Sequence, residues 1–153
     1  MKHHFIERTD TMRYIKIQTE IMEALEKSKS IYLAALKDDY IAVSPDNYVL
    51  YKIPRLRFYL DINKLKPKVE ADSLFNIQTE PALRTNELRQ EGSKVIIKIA
   101  NQNGHAWINE KLLKYFDKNC KFEIAIDKPE KSPVKVFENS ICVGLVMPYV
   151  FEK

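Results

Sequence analysis

The sequence predicts an α+β domain: a duplicated βαβββ unit whose two helices pack on antiparallel sheets. Three observations carry this expectation. Segments 19–27 and 108–116 place apolar residues at helical spacing behind a capping residue, while most other segments alternate apolar and polar side chains with the period of a half-buried strand. Clusters of Pro, Asn, Asp and Gly between the alternating segments mark short turns, which favour antiparallel meanders. Each helical segment is followed by three strands, so the two halves repeat one grammar.

The elements follow in order. Met1–Asp10 is polar, with no apolar stretch and no small-residue cleavage site, and is not a signal peptide; His3-His4 reads as part of a frayed, solvated terminus. Met12–Ile17 alternates as a strand. Thr19 is the N-cap of the first helix, with acids in its first turn, Lys27 near its end, and Ile21, Met22 and Leu25 on one face. Ile31–Leu36, Tyr40–Val43 and Tyr48–Ile53 form a meander, joined by turns at Lys37-Asp38-Asp39 and Ser44-Pro45-Asp46-Asn47 and stopped by Pro54. Residues 55–92 read as a connector, mostly loop, with a short strand or helical turn.

Lys94–Ala100 is a β-branched strand, turned by Gln102-Asn103-Gly104. Asn109 caps the second helix, 108–116, which carries Leu112, Leu113 and Phe116 on one face. Strands at Cys120–Ile126, Pro133–Phe137 and Ile141–Val150 complete the chain, with turns at Asp127–Lys131 and Glu138-Asn139-Ser140. The whole reads as a single domain, 1–153, made of a first half (11–54), the connector (55–92) and a second half (93–153). Thr19-Glu20 pairs with Asn109-Glu110, Asp46-Asn47 with Glu138-Asn139, and Pro54 with Pro148, and the cap-to-proline spacings nearly match.

Composition sets limits. With 153 residues, 45% of them apolar, the chain can bury a core without staples, and its 30% of charged residues of both signs is an ordinary solvated surface. A net charge of +4 permits nucleic-acid binding without demanding it. No run approaches the ~18 apolar residues of a membrane helix, so no membrane partner is expected. Cys120 and Cys142 fall in strand-like segments and read as small buried thiols of a reducing compartment, which makes the expected location cytoplasmic.

Enzymatic chemistry is not expected, nor is a cofactor or metal. The three glycines, Gly92, Gly104 and Gly144, are scattered and build no phosphate loop. No Cys or His cluster has zinc spacing. His105 sits in a turn with no nucleophile near it in sequence, and the carboxylates show no paired spacing.

The second half carries a resemblance. Trp107-Ile108-Asn109-Glu110-Lys111-Leu112-Leu113, then Lys131-Ser132-Pro133-Val134, then Gly144-Leu145-Val146-Met147-Pro148 resemble, in order and spacing, the last domain of bacterial DNA sliding clamps, the β subunits of the replicative polymerase. Motif-level similarity covers 107–153; residues 1–54 agree in pattern only. The resemblance implies a DNA-clamp-like fold, itself a duplicated βαβββ unit, and a replication or processivity accessory. Its helices would face the backbone of double-stranded DNA non-specifically. The matching lysines are Lys27 and Lys29 after the first helix and Lys111, Lys114 and Lys118 on the second, where the spacing i, i+3, i+7 gives one stripe. It also implies an apolar pocket for peptides of polymerases or other replication proteins, matched by Ser132, Pro133, Val146, Met147 and Pro148.

Two departures bear on this. Clamp chains carry several such domains where this sequence has room for one, so a ring would require a homo-oligomer. The sequence also continues after Met147-Pro148 as Tyr-Val-Phe-Glu-Lys, where clamps place a basic residue. The alternative is a protein–protein interaction module on a clamp-derived fold, of phage or mobile-element origin, that does not bind DNA.

Overall fold

The computed structural model describes residues 2–27, 31–35, 39–46, 48–67 and 71–151, with side chains described for 13–27, 31, 39–46, 48–61, 63–67 and 71–151. It is an α+β fold with few helices and a large, open, mainly antiparallel sheet. The chain opens with a long helix, α1 (Lys2–Glu26), followed by a meander of β1 (Tyr32–Ala35), β2 (Tyr40–Ser44) and β3 (Val49–Pro54). Two 3₁₀ turns (Arg55–Arg57 and Ile62–Lys64), the short β4 (Lys66–Pro67) and a one-turn helix α2 (Ala71–Phe75) lead to a long strand, β5 (Thr79–Glu91). Then come β6 (Lys94–Ala100), β7 (His105–Asn109), a 3₁₀ turn (Glu110–Leu113), β8 (Lys121–Ala125), β9 (Val134–Glu138) and β10 (Ile141–Val146).

The strands lie in the order β4-β1-β2-β3-β10-β9-β8-β5-β6-β7. Every pairing is antiparallel except β1 with β4. Strand β5 serves twice. Thr79–Ala82 pairs with β8 and completes a sheet of eight strands, while Leu83–Glu91 pairs with β6. Between Arg84 and Leu88 the register to β6 shifts, and such a bulge bends a strand and increases its twist. The sheet therefore wraps around one core. Ile17 and Ile21 of α1 meet Val49, Tyr51 and Ile53 of β3, Val134 and Val136 of β9, and Ile97, Ile99, Ala106 and Ile108 from the far side. A smaller cluster on the opposite face joins Ala42, Leu50 and Leu145 to Ala71 of α2.

Several expectations are corrected. The polar start and the supposed strand Met12–Ile17 are both helical, because Ile17, Ile21, Ala24 and Leu25 share the buried face with Tyr14, a period of 3.6 rather than 2. Thr19 caps nothing. Its hydroxyl donates back to the Ile15 carbonyl (2.8 Å), the mid-helix alternative to a cap. Met22 faces solvent, 52% exposed. The expected second helix, 108–116, is a single 3₁₀ turn, so among the described residues the second of the two expected helices is absent. Asn109 does cap that turn, its Oδ1 accepting from the Lys111 amide (3.1 Å). The turn goes no further because the Asp117 amide donates to Glu138 (2.8 Å), which is also bound by Arg13, and Asp117 Oδ1 accepts from Asn119 N in an Asx turn. The connector, 55–92, contains the longest strand of the sheet. The final strand ends at Val146, before Met147-Pro148.

Candidate nucleic-acid interface

The sequence-derived lysines do not form a stripe. Lys27 is exposed at the end of α1, and Lys29 lies outside the described residues. Without a helix through 118, the i, i+3, i+7 geometry is lost. Lys111 and Lys118 are exposed, while Lys114 donates to Glu20 (2.7 Å) and lies 5.0 Å from the centre of the Tyr115 ring. Burial of Glu20 works against ionisation, but hydrogen bonds from Lys114 and Tyr115 and the charges of Lys114 and Lys111 outweigh it, leaving its carboxyl below the usual range. Burial and that same carboxylate push the Tyr115 phenol up to about 12. Lys114 thus ties the 3₁₀ turn to α1, a structural use of its charge.

The residues expected to form a peptide pocket do converge at one end of the β9–β10 hairpin, since Val134 pairs with Val146. Val146 is fully buried in the core and Pro133 is buried. Ser132 donates to the Asp127 carbonyl (3.2 Å), and the Met147 amide to the Tyr48 carbonyl (2.8 Å). Pro148 is half-buried. A depression of about 320 Å³ opens elsewhere, beside the 3₁₀ turn, between Leu113, Phe116, Cys120 and Phe122, with Lys114 and Lys118 at its border. Burial first, then the charges of Glu138 and Asp117, raise the Cys120 thiol to about 11, so it stays protonated at neutral pH.

A different face combines charge with aromatic surface. The Asn101–Gly104 turn fixes the β6–β7 register and places Lys98 opposite Trp107. The bulge in β5 sets Arg89 opposite Ile96 and Glu91 opposite Lys94. Cross-strand partners share a face, so Arg89, Glu91, Lys94, Lys98 and Trp107 project from the same side of this three-stranded ribbon. Leaving β10, the chain crosses to the edge strand β7, where the Tyr149 amide donates to the Trp107 carbonyl (2.6 Å). This brings Tyr149 and Phe151 to Trp107. The Phe151 ring lies edge-on to both, with centroids 5.4 Å from Trp107 and 5.1 Å from Tyr149.

The cations sit over these rings. The Arg89 guanidinium is 4.9 Å from the Trp107 centroid and 4.7 Å from that of Phe151. Lys94 is 5.5 Å from Tyr149, and Lys98 is 5.7 Å from Trp107. Each contact is within cation–π range, worth about 0.5–1 kcal/mol at an exposed site. Lys98 also pairs with Glu87 (3.1 Å), whereas Arg89 and Lys94 are exposed and form no ion pair among the described residues. His105 lies beside Trp107, with Glu130 3.6 Å from its Nε2.

None of these side chains stands out in sequence as a site. The signal was nonetheless present: Lys94-x-Ile96-x-Lys98 puts both lysines on one strand face, and counting outward from the Asn-Gly turn reaches the Lys98–Trp107 pair. Arg89 required the bulge, which sequence does not reveal.

No protein-family model matches the chain, no curated protein matches its sequence, and no solved structure matches its fold.

Proposed function

We propose that this chain is a non-enzymatic, sliding-clamp-like domain that serves DNA replication or processivity by contacting the DNA backbone, polymerase-type partners, or both. The observation that carries this reading is the order β1-β2-β3-β10-β9-β8. Two meanders meet through their last strands, β3 and β10, which run antiparallel, as a two-fold repeat would place them. Each meander follows a helical element, α1 in one half and the Asn109-capped turn in the other, and Glu20 and Lys114 link the two. This arrangement supports an internal duplication of the kind the clamp resemblance implies. With the second helix reduced to one turn, the β5–β6–β7 face offers a basic surface through Arg89 and Lys94.

A second reading, an interaction module on the same fold that ignores DNA, is favoured by Leu83 and Leu88 on β5, which are 77% and 62% exposed. The test is solution mass by light scattering over a concentration series at two salt levels, together with titration of a labelled duplex. Self-association into a discrete ring-sized oligomer with salt-sensitive duplex binding supports the clamp reading. A monomer with no affinity for nucleic acid at low salt overturns it in favour of the interaction module.

A further inference from the structure

We propose that the Arg89–Lys94–Trp107–Tyr149–Phe151 face is a binding site for single-stranded nucleic acid, in which bases stack on the aromatic cluster and phosphates are met by Arg89 and Lys94. The proposal rests on the nucleic-acid reading above and narrows it to one ligand class and one place.

The argument is chemical complementarity. Contact with duplex backbone needs cations alone, because the bases are turned inward. Here the two exposed cations are interleaved with three rings on one face, 4.7–5.5 Å from ring centres. A ligand that offers both negative charge and planar faces uses both features, and an unpaired strand offers them at each nucleotide. Trp107 is anchored in β7, and the chain carrying Tyr149 and Phe151 is hydrogen-bonded to that same edge, so on binding it is the cations that move, each from a ring face to a phosphate, while the rings keep their places. Stacking and phosphate contact use features every nucleotide shares, so binding tolerates sequence.

Trp107 is the only tryptophan in the chain, and it supplies its own reporter. The full chain is titrated with oligothymidylate, oligouridylate, a duplex of equal length and polyglutamate, following tryptophan emission and, separately, anisotropy of labelled strands. Saturable quenching by the single strands, more strongly than by duplex, is expected. Affinity should fall with salt by a log–log slope of about −0.7 per phosphate contact. Arg89→Ala with Lys94→Ala, both at exposed positions, should weaken single-strand binding at least about tenfold and flatten that slope by about 0.7 for each cation removed. Trp107→Phe should keep most of the affinity and lose the signal, while Trp107→Leu should lose both.

Binding that survives the Arg89/Lys94 double substitution, or duplex binding without quenching and tighter than single strand, overturns this site while leaving a nucleic-acid function intact. Polyglutamate binding as tightly as the oligonucleotides overturns it in favour of an acidic protein partner. Failure to bind any nucleic acid removes both this site and the broader reading. Oligothymidylate against oligouridylate separates DNA from RNA as the source of the strand.

Discussion

Replacing Gln18 by Leu probes how α1 is held to the segment after β3. Gln18 is 4% exposed, although it is polar. Its Nε2 donates to the Arg57 carbonyl (2.9 Å) and to the Tyr14 carbonyl (3.1 Å), and its Oε1 accepts from the Tyr59 amide (2.7 Å). One side chain therefore bridges the helix to the turn over Arg55–Arg57. Leucine fills much the same volume but makes none of these bonds. Tyr14 O lies within α1 and keeps its helical donor. The Tyr59 amide loses its acceptor and the Arg57 carbonyl this donor. Each such loss costs about 1–3 kcal/mol when buried. Both groups are only part-buried, and the leucine gains some apolar transfer, so the low end applies to each and the net loss is about 2 kcal/mol. For a domain of this size that lowers Tm by about 4–8 °C. Urea unfolding followed by far-ultraviolet circular dichroism measures the difference, with Thr19→Ala, on the exposed side of the same helix, as a control expected within about 0.5 kcal/mol of the parent. If Gln18→Leu also falls within about 0.5 kcal/mol at unchanged m, the bridge contributes nothing and the attribution of α1 docking to it is wrong.

Three further outcomes are expected. A Cβ at Gly144 would lie 2.6 Å from the Leu50 carbonyl and 2.7 Å from the Phe116 ring, so Gly144→Ala should destabilise by about 1–3 kcal/mol, while the added substitution Phe116→Leu should recover part of that loss in the same urea assay. Because the Glu20 carboxyl is held below its ordinary 4.5, its contribution to stability is present above that value and is lost as pH falls through its lower folded value. Glu20→Gln should therefore be less stable than the parent at neutral pH, with the gap closing in acid. The same substitution should bring the Tyr115 phenol down from about 12, read by ultraviolet absorbance or NMR titration; an unmoved phenol would mean that the Glu20 contact does not set it.

Legibility followed the range of the forces involved. The β2–β3 hairpin could be read because Asp46 supplies its own turn chemistry, Oδ1 accepting from the Tyr48 and Val49 amides. The Asn109 cap could be read because it is equally local. What Asn109 caps could not, since helix growth there is stopped by Glu138, which is distant in sequence. The strand assigned to Met12–Ile17 failed because a short apolar run fits either period, and only the core it meets decides between them. Strand β5 was hidden because its outer half is exposed and polar, with β6 alone to order it. The lysine stripe failed with its helix. Arg89, Lys94 and Trp107 come together only through pairings that a chain read in one dimension does not display.

The placement of β10 between β3 and β9 also governs how the molecule comes into being. On a ribosome, the first meander emerges long before the strand that covers its open side. Until residues 141–146 arrive, β3 presents unpaired backbone groups to the surroundings, and ordering the sheet must wait for a closure spanning most of the chain. Such non-local pairing slows folding, and an exposed strand edge in the interval invites other chains to pair with it. The interval between synthesis of the third strand and the tenth is therefore the one in which this edge stands open.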